Sequence, residues 1–254
     1  MSATAIVLAG ERPGVDPLAA HFGGTLKALV PLGGESMVRR PVRALLAAPS
    51  VANVAVLSQE AGPIRKAVAD FERVEVAESG ATIADTMIAL CNDPATEWPL
   101  LVTTADHALL DGAMIGDFCR QAAGADLAIG LVGRRALDAR LPQTKRTWIK
   151  FRGGAYSGAN LFAFGSRDAA KAVALWRSVE QDRKKGIRML AALGPALLMG
   201  SVLRLRTLDQ TLASIGRRLG LRIRKVELAN PLAAVDVDKP ADHVLVSAIL
   251  EGRA

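Results

Sequence analysis

The chain has 254 residues, 50% of them hydrophobic and 22% charged, with 23 glycines and 12 prolines; that suits one sizeable core and excludes a fibrous or low-complexity protein. Residues 1–133 carry 9 Lys and Arg against 15 Asp and Glu, whereas residues 134–254 carry 23 against 10, so the net charge of +7 comes entirely from the second half. An excess confined to one half points to an anionic partner, a phosphorylated substrate or a membrane surface, while 4% aromatic residues with no arginine–aromatic interleaving argue against base-stacking recognition of nucleic acid.

The first apolar run, Thr4–Ala9, opens into Gly10 and a charged loop that closes on Lys27. It is too short for a secretory h-region and leads into a strand-and-turn pattern, so a cytoplasmic location is expected. A glycine directly after a strand lets backbone N–H groups approach a ligand closely. Arg12 adds a planar fork of donors and Lys27 a point charge, both suited to a phosphate chain. The spacing is neither a Walker A loop nor a GxGxxG fingerprint, so on pattern alone a plain solvated loop competes with a phosphate cradle.

Further compact apolar runs follow at Asn53–Ser58, Val74–Glu78, Pro99–Ala105, Asp126–Val132, Thr147–Phe151 and Ala159–Phe164. Several lack polar alternation, as strands covered on both faces do. Helical patterns lie between them at residues 35–49, 62–71, 83–93 and 111–124. Strands alternating with helices of this length predict an α/β fold with a mainly parallel central sheet and helices on both faces. Ligands of such sheets gather at the carboxyl ends of the strands. Cys91 and Cys119 sit among apolar helical neighbours and read as free buried thiols.

One strand end carries Asp106, delivered by "LLVTTADHALLD", with His107 beside it and Asp111 poised to cap the next helix. A carboxylate at the end of a buried strand suits Mg²⁺, a hard oxygen-seeking cation; a solvated loop acid is the plain alternative. Near the C-terminus "AAVDVDKPADHVL" places Asp236 and Asp238 on one face of a strand-like run. Asp238 also reads as a helix N-cap ahead of Pro240. Between Arg146 and Arg152 the basic run "RTWIKFR" offers Arg146, Lys150 and Arg152 either as a phosphate clamp or as a solvated strand edge.

Residues 166–222 read as a basic helical insertion within a single domain spanning 1–254, broken at Gly186, Gly194 and Gly200. Its most apolar part is too short and too interrupted for a membrane span. Two readings stand for it: helices packed on the sheet, or an interfacial surface over 183–225 that touches anionic lipid at the inner face of the membrane.

Taken together, the strand-loop "LAG" with its Lys27, the "TTADH" strand end and the terminal "DVDKPADH" resemble the MobA-like NTP transferases. These are nucleotidyltransferases of glycosyltransferase-A-type fold, related to molybdenum-cofactor guanylyltransferases and sugar- or polyol-phosphate cytidylyltransferases. The resemblance spans about residues 4–165 and 226–250. It implies a nucleotide site at Ala9, Gly10, Arg12 and Lys27, with Gly80, Thr82 and Thr86 reading the base. It implies Mg²⁺ on Asp106 and Asp238, and an acceptor site that includes Ser157, Gly158 and Asn160, beside Lys150 and Arg152. Lys27, Arg12, Asp106 and Asp238 would then be the catalytic set. The implied reaction is transfer of a nucleoside monophosphate from an NTP, CTP or GTP favoured, to a small phosphorylated acceptor with release of pyrophosphate. The chain departs from the family pattern in its long phosphate loop, in Ala108 after the metal aspartate and in Lys239 where a threonine is usual. A glycosyltransferase using an NDP-sugar, and a non-catalytic relative that binds a partner or membrane, are the alternatives.

Overall fold

A computed structural model describes residues 2–11, 14–24, 26–144, 146–181 and 205–253. Every apolar run expected to be a strand is one: β1 (Ala3–Leu8), β4 (Val51–Ser58), β5 (Val74–Glu78), β6 (Leu100–Thr104), β7 (Leu127–Gly133), β8 (Ile149–Phe151) and β9 (Gly154–Phe164). A two-residue pair, β2 (Pro31–Leu32) with β3 (Glu35–Ser36), makes a small separate hairpin. Among the described residues the main sheet has eight strands in the order β10-β7-β9-β6-β1-β4-β5, with β8 paired to β9 and β10 being Ile223–Glu227. Only β9 and β8 introduce antiparallel pairs; β1 lies parallel between β4 and β6.

Alternation along β1 explains why both faces are covered. Ala5 and Val7 join a core with Val42 and Leu45 of α2 (Arg39–Leu46) and with Ile115 and Phe118 of α5 (Gly112–Ala122). Ile6 and Leu8 join a second core with Met87 of α4 (Ile83–Asn92) and Val173 of α7 (Ala170–Gln181). A strand apolar at every position must be covered on both sides, and these two clusters supply the covers. Asp111 caps α5, accepting from Met114 N at 2.7 Å, as its position before the helix predicts.

Within 166–222 the described elements are a 3-10 turn (Arg167–Ala169), α7 and α8 (Leu208–Leu219); residues 182–204 lie outside the described set. Helix α7 is tied to α4 by Arg177 and Asp85, 2.8 Å apart. Helix α8 starts on a capping box, Thr207 with Gln210. It turns through Gly220, at φ +68°, into β10, a strand the sequence reading did not register. "IRKVE" has charges at three of its five positions, which hides its pattern, but it is an edge strand and charge there blocks further pairing. Among the described residues no helix is long and apolar enough to cross a membrane. The lipid-contact reading of 183–225 falls largely outside the described residues. In the part that is described, Arg222 pairs with Asp126 at 3.1 Å, Lys225 with Asp209 at 3.1 Å, and Arg224 donates to the Gln121 carbonyl at 2.8 Å.

Candidate active site

In-register pairing sets the carboxyl ends of four strands side by side: Leu8 opposite Leu57 and Thr104, and Ser58 opposite Glu78. The chain leaves β1 for β4 on one side and later returns as β6 on the other, so β1 and β6 flank a crevice where topology reverses, the usual ligand position in such sheets. Gly10, Gln59, Gly80 and Asp106 all follow these ends within two residues.

Lys27 begins a 3-10 turn (Lys27–Leu29), and its own N–H donates to Glu11 Oε1 at 2.8 Å. Its ammonium reaches across the crevice to donate to Asp106 Oδ2 at 2.6 Å and Asp238 Oδ1 at 2.5 Å. Thr104 steadies the first carboxylate, its hydroxyl donating to Asp106 Oδ1 at 2.5 Å. Burial alone would lower the Lys27 pKa, but Asp106 and Asp238 together hold it well above the ordinary lysine value. The three expected residues, 79 and 211 positions apart in pairs, therefore meet on one cation.

The second carboxylate arrives differently from expectation. Residues 235–238 form no sheet strand; they run irregularly from a 3-10 turn (Pro231–Ala234) to α9 (Pro240–Leu250). Val237 is fully buried and donates its N–H to the Asp106 carbonyl at 3.1 Å, stitching the two acidic segments together without a ladder. Nor does Asp238 cap α9. That position belongs to Lys239, and Asp242 accepts from the N–H groups of Asp238 and Lys239 at 3.2 and 3.1 Å. His243 on the same helix contacts the Pro31 carbonyl at 2.7 Å, docking α9 near the Lys27 turn.

Asp236 is held by Arg146, which also lies 3.7 Å from Asp242, and Asn160 Nδ2 stands 3.5 Å from Asp236 Oδ2. Burial, with Asp238 and Asp106 nearby, pushes the Asp236 pKa up, while Arg146 pulls it down. Arg146, which the sequence offers as a phosphate clamp or as a solvated strand edge, is thus engaged by Asp236 and Asp242 within the protein. Its side chain is 10% exposed. Removing one partner of a buried pair leaves the other charge uncompensated. Arg146→Met should therefore cost about 3 kcal/mol of stability in urea denaturation.

Asn160 adopts φ +45°, unusual for a non-glycine residue, where the β7–β9 register shifts. Of the expected acceptor residues it is the one brought to the acidic cluster. Ser157 is buried opposite Val132, and Gly158 lies exposed opposite Leu131. Lys150 and Arg152 are exposed on the β8 hairpin, where Arg152 N donates to the Arg206 carbonyl at 3.0 Å.

On the nucleotide side, Ala9 is buried and donates to the Leu57 carbonyl, and Gly10 lies against Gln59. Arg12 is outside the described residues. Thr82 caps α4 by accepting from Asp85 N at 3.0 Å, and the Thr86 hydroxyl donates to Thr82 O and accepts from Gly80 N at 3.0 Å. Both threonines build the Gly80 loop. Gln59, Glu11 and Thr104 were missed by sequence reasoning, and only the position of each next to a strand end could have flagged them.

His107, a conceivable base by sequence, is 1% exposed and its Nδ1 meets Thr103 Oγ1 at 3.1 Å. Burial drives its pKa down to about 4, outweighing Asp106, the Ala233 backbone and Asp111. Its burial disfavours the charged imidazolium. Because its folded pKa lies below the unfolded 6.5, the unfolded chain binds the extra proton between these values, so stability is lost as pH falls from about 6.5 to about 4. Replacing it by Asn should flatten that part of the stability–pH curve, by up to about 3 kcal/mol, in chemical denaturation at stepped pH.

The donor set fits a divalent cation. Two carboxylate oxygens converge on one positive group, which here is the Lys27 ammonium. Among the described residues no group of three or more His, Cys, Asp or Glu is placed to hold a metal ion by itself; a cation on Asp106 and Asp238 would draw its other ligands from water and substrate phosphates, as Mg²⁺ does.

Comparison with known proteins agrees with this geometry. Residues 5–219 match the family description MobA-like NTP transferase domain, so the match runs on through α8. No curated protein matches the sequence. A hypothetical transferase from Thermus thermophilus superposes with a TM-score of 0.77 at 30% identity, covering 96% of this chain and 100% of that one. The fold also matches 4-diphosphocytidyl-2C-methyl-D-erythritol synthase from Anaerococcus prevotii (TM-score 0.61, 9% identity, 98% and 96% coverage). It matches CMP:2-keto-3-deoxy-manno-octonic acid synthetase complexed with CTP equally well (0.61, 16%, 100% of both chains). The chain belongs to the MobA-like NTP transferase family and is a nucleotidyltransferase.

Proposed function

We propose that the enzyme transfers a nucleoside monophosphate from a nucleoside triphosphate to a small phosphorylated acceptor, with Mg²⁺, releasing pyrophosphate. The observation that carries this is the convergence of Asp106, Asp238 and Lys27 at the mouth of the β1–β6 crevice. An acceptor phosphate oxygen forms a bond to the α-phosphorus while the bond from that phosphorus to the bridging oxygen breaks, and its electrons leave with pyrophosphate. An acceptor phosphomonoester is ionised near neutral pH, so no base is needed, in keeping with the burial of His107. Asp106 and Asp238 would hold Mg²⁺, which supplies neutralisation of the phosphate charge. Lys27 meets the charge that grows on the departing pyrophosphate, and the carboxylates and lysine contribute by position and field. The Gly80 loop reads the base through its backbone, since its threonine hydroxyls are engaged.

CTP is the favoured donor, with GTP second; the support is that matched structures carry cytidyl chemistry in their names, one with CTP bound. A sugar, polyol or other small alcohol phosphate is the acceptor class. The test is thermal stabilisation by each of the four NTPs with and without Mg²⁺, followed by pyrophosphate release with candidate acceptors. A Mg²⁺-dependent shift for one base supports the reading. Shifts with NDP-sugars alone would replace it with glycosyl transfer.

A further inference from the structure

We propose that Gln59 is the positioning residue that couples the triphosphate loop to the Gly80 loop, so that one side chain sets both affinity for the nucleotide and discrimination among bases. The inference rests on the transferase reading of the same site. Gln59 is the first residue beyond β4, whose two neighbours, β1 and β5, each lead into one of those loops. Its Oε1 accepts from Glu11 N at 2.9 Å, and its Nε2 makes longer contacts, 3.4 Å each, to the Glu11 and Gly80 carbonyls. Beneath it the Ser58 carbonyl accepts from Ser79 N at 3.1 Å, anchoring the second loop to the same strand end.

The line of contacts continues in both directions. Glu11, fixed by Gln59, accepts from Lys27 N at 2.8 Å. Gly80, touched by Gln59, donates its N–H to Thr86 at the start of α4. One amide therefore stands between the lysine that meets phosphate and the loop that meets the base. Gly10 makes room for it: a Cβ there would lie 2.8 Å from Gln59 Oε1 and 3.0 Å from Nε2, so the end of the glutamine would have to move aside. Glycine at this position thus lets the amide stay where it bridges the two loops, apart from any approach of phosphate to the backbone.

Those two reasons for Gly10 are separable. The experiment is steady-state kinetics of the full chain with all four NTPs for wild type, Gln59→Ala, Gly10→Ala and the double variant, with melting curves alongside. Gln59 is exposed, so Gln59→Ala is expected to melt near wild type. It should raise KM for the NTP about fivefold, leave kcat within about twofold and narrow the spread of kcat/KM among bases. Gly10→Ala should raise KM by at least as much, and the double variant should be no worse than Gln59→Ala, because the clash disappears with the amide. Additive losses, or an unchanged KM and base ratio for Gln59→Ala in an active enzyme, would overturn the coupling alone. A wild-type chain that turns over no NTP would overturn the transferase reading and the coupling with it.

Discussion

Asp106→Asn is expected to lower kcat/KM by about three orders of magnitude while leaving the fold intact. The amide keeps the size of the carboxylate and can still accept from the Thr104 hydroxyl, which fixes Oδ1 at 2.5 Å. What it loses is the negative charge on the oxygen that faces Lys27. Phosphoryl-type transfer of the proposed kind relies on position and electrostatics rather than on a protein nucleophile, so loss of a charge proposed to hold Mg²⁺ would remove much of what the protein contributes. Pyrophosphate release under saturating Mg²⁺ and NTP is the measurement. Activity within tenfold of wild type would remove Asp106 from the role of cation ligand.

The second large effect is expected from Lys27→Met, and it has two parts. Turnover should fall by about two to three orders of magnitude, because the group proposed to face the pyrophosphate charge is gone. Stability should also fall, because Asp106, Asp238 and the nearby Asp236 then crowd together without the ammonium that now bridges two of them. Lys27 and Asp106 are 18% and 16% exposed but Asp238 is 53% exposed, so solvent limits the loss to about 1–3 kcal/mol. For a chain of this length that is roughly 5 °C in melting temperature. Millimolar Mg²⁺ or Mn²⁺, with no nucleotide, should restore much of the loss in the variant and shift wild type far less, since without nucleotide the wild-type ammonium already bridges the two carboxylates. Equal metal responses in the two proteins would show that lysine and metal do not share that position.

Much of this was legible in the sequence because the core writes itself locally. A run such as Leu100–Val102 is apolar at successive positions for a reason that needs no tertiary knowledge, namely cover on both faces. Asp106 was legible for the same reason: it is the first carboxylate after such a run. Lys27 and Asp238 were legible only through the order of the motifs, since neither has a local pattern. What was hidden are pairings between polar residues far apart in the chain. Gln59 and Glu11 are 48 positions apart, and Arg146 and Asp236 are 90 apart. Neither leaves a periodic trace, so Gln59 passed unnoticed and Arg146 looked available for substrate. Strand β10 was missed because an edge strand tolerates charges that a central strand excludes.

The stitch between Val237 N and the Asp106 carbonyl also bears on how the enzyme is made. The contact it supports, Lys27 to Asp238, closes a loop of 211 positions. As the chain leaves the ribosome, β1, β4, β5 and β6 can pair from early on, and Lys27 can find Asp106 while the rest is still being synthesised. The second carboxylate does not exist until residue 238 has emerged. A chain ending before Val226 lacks not only Asp238 but also Val226, Leu228, Val235, Val237 and Val246 of the main core, so the charged cluster and the apolar cover beneath it are completed by the same last stretch of chain.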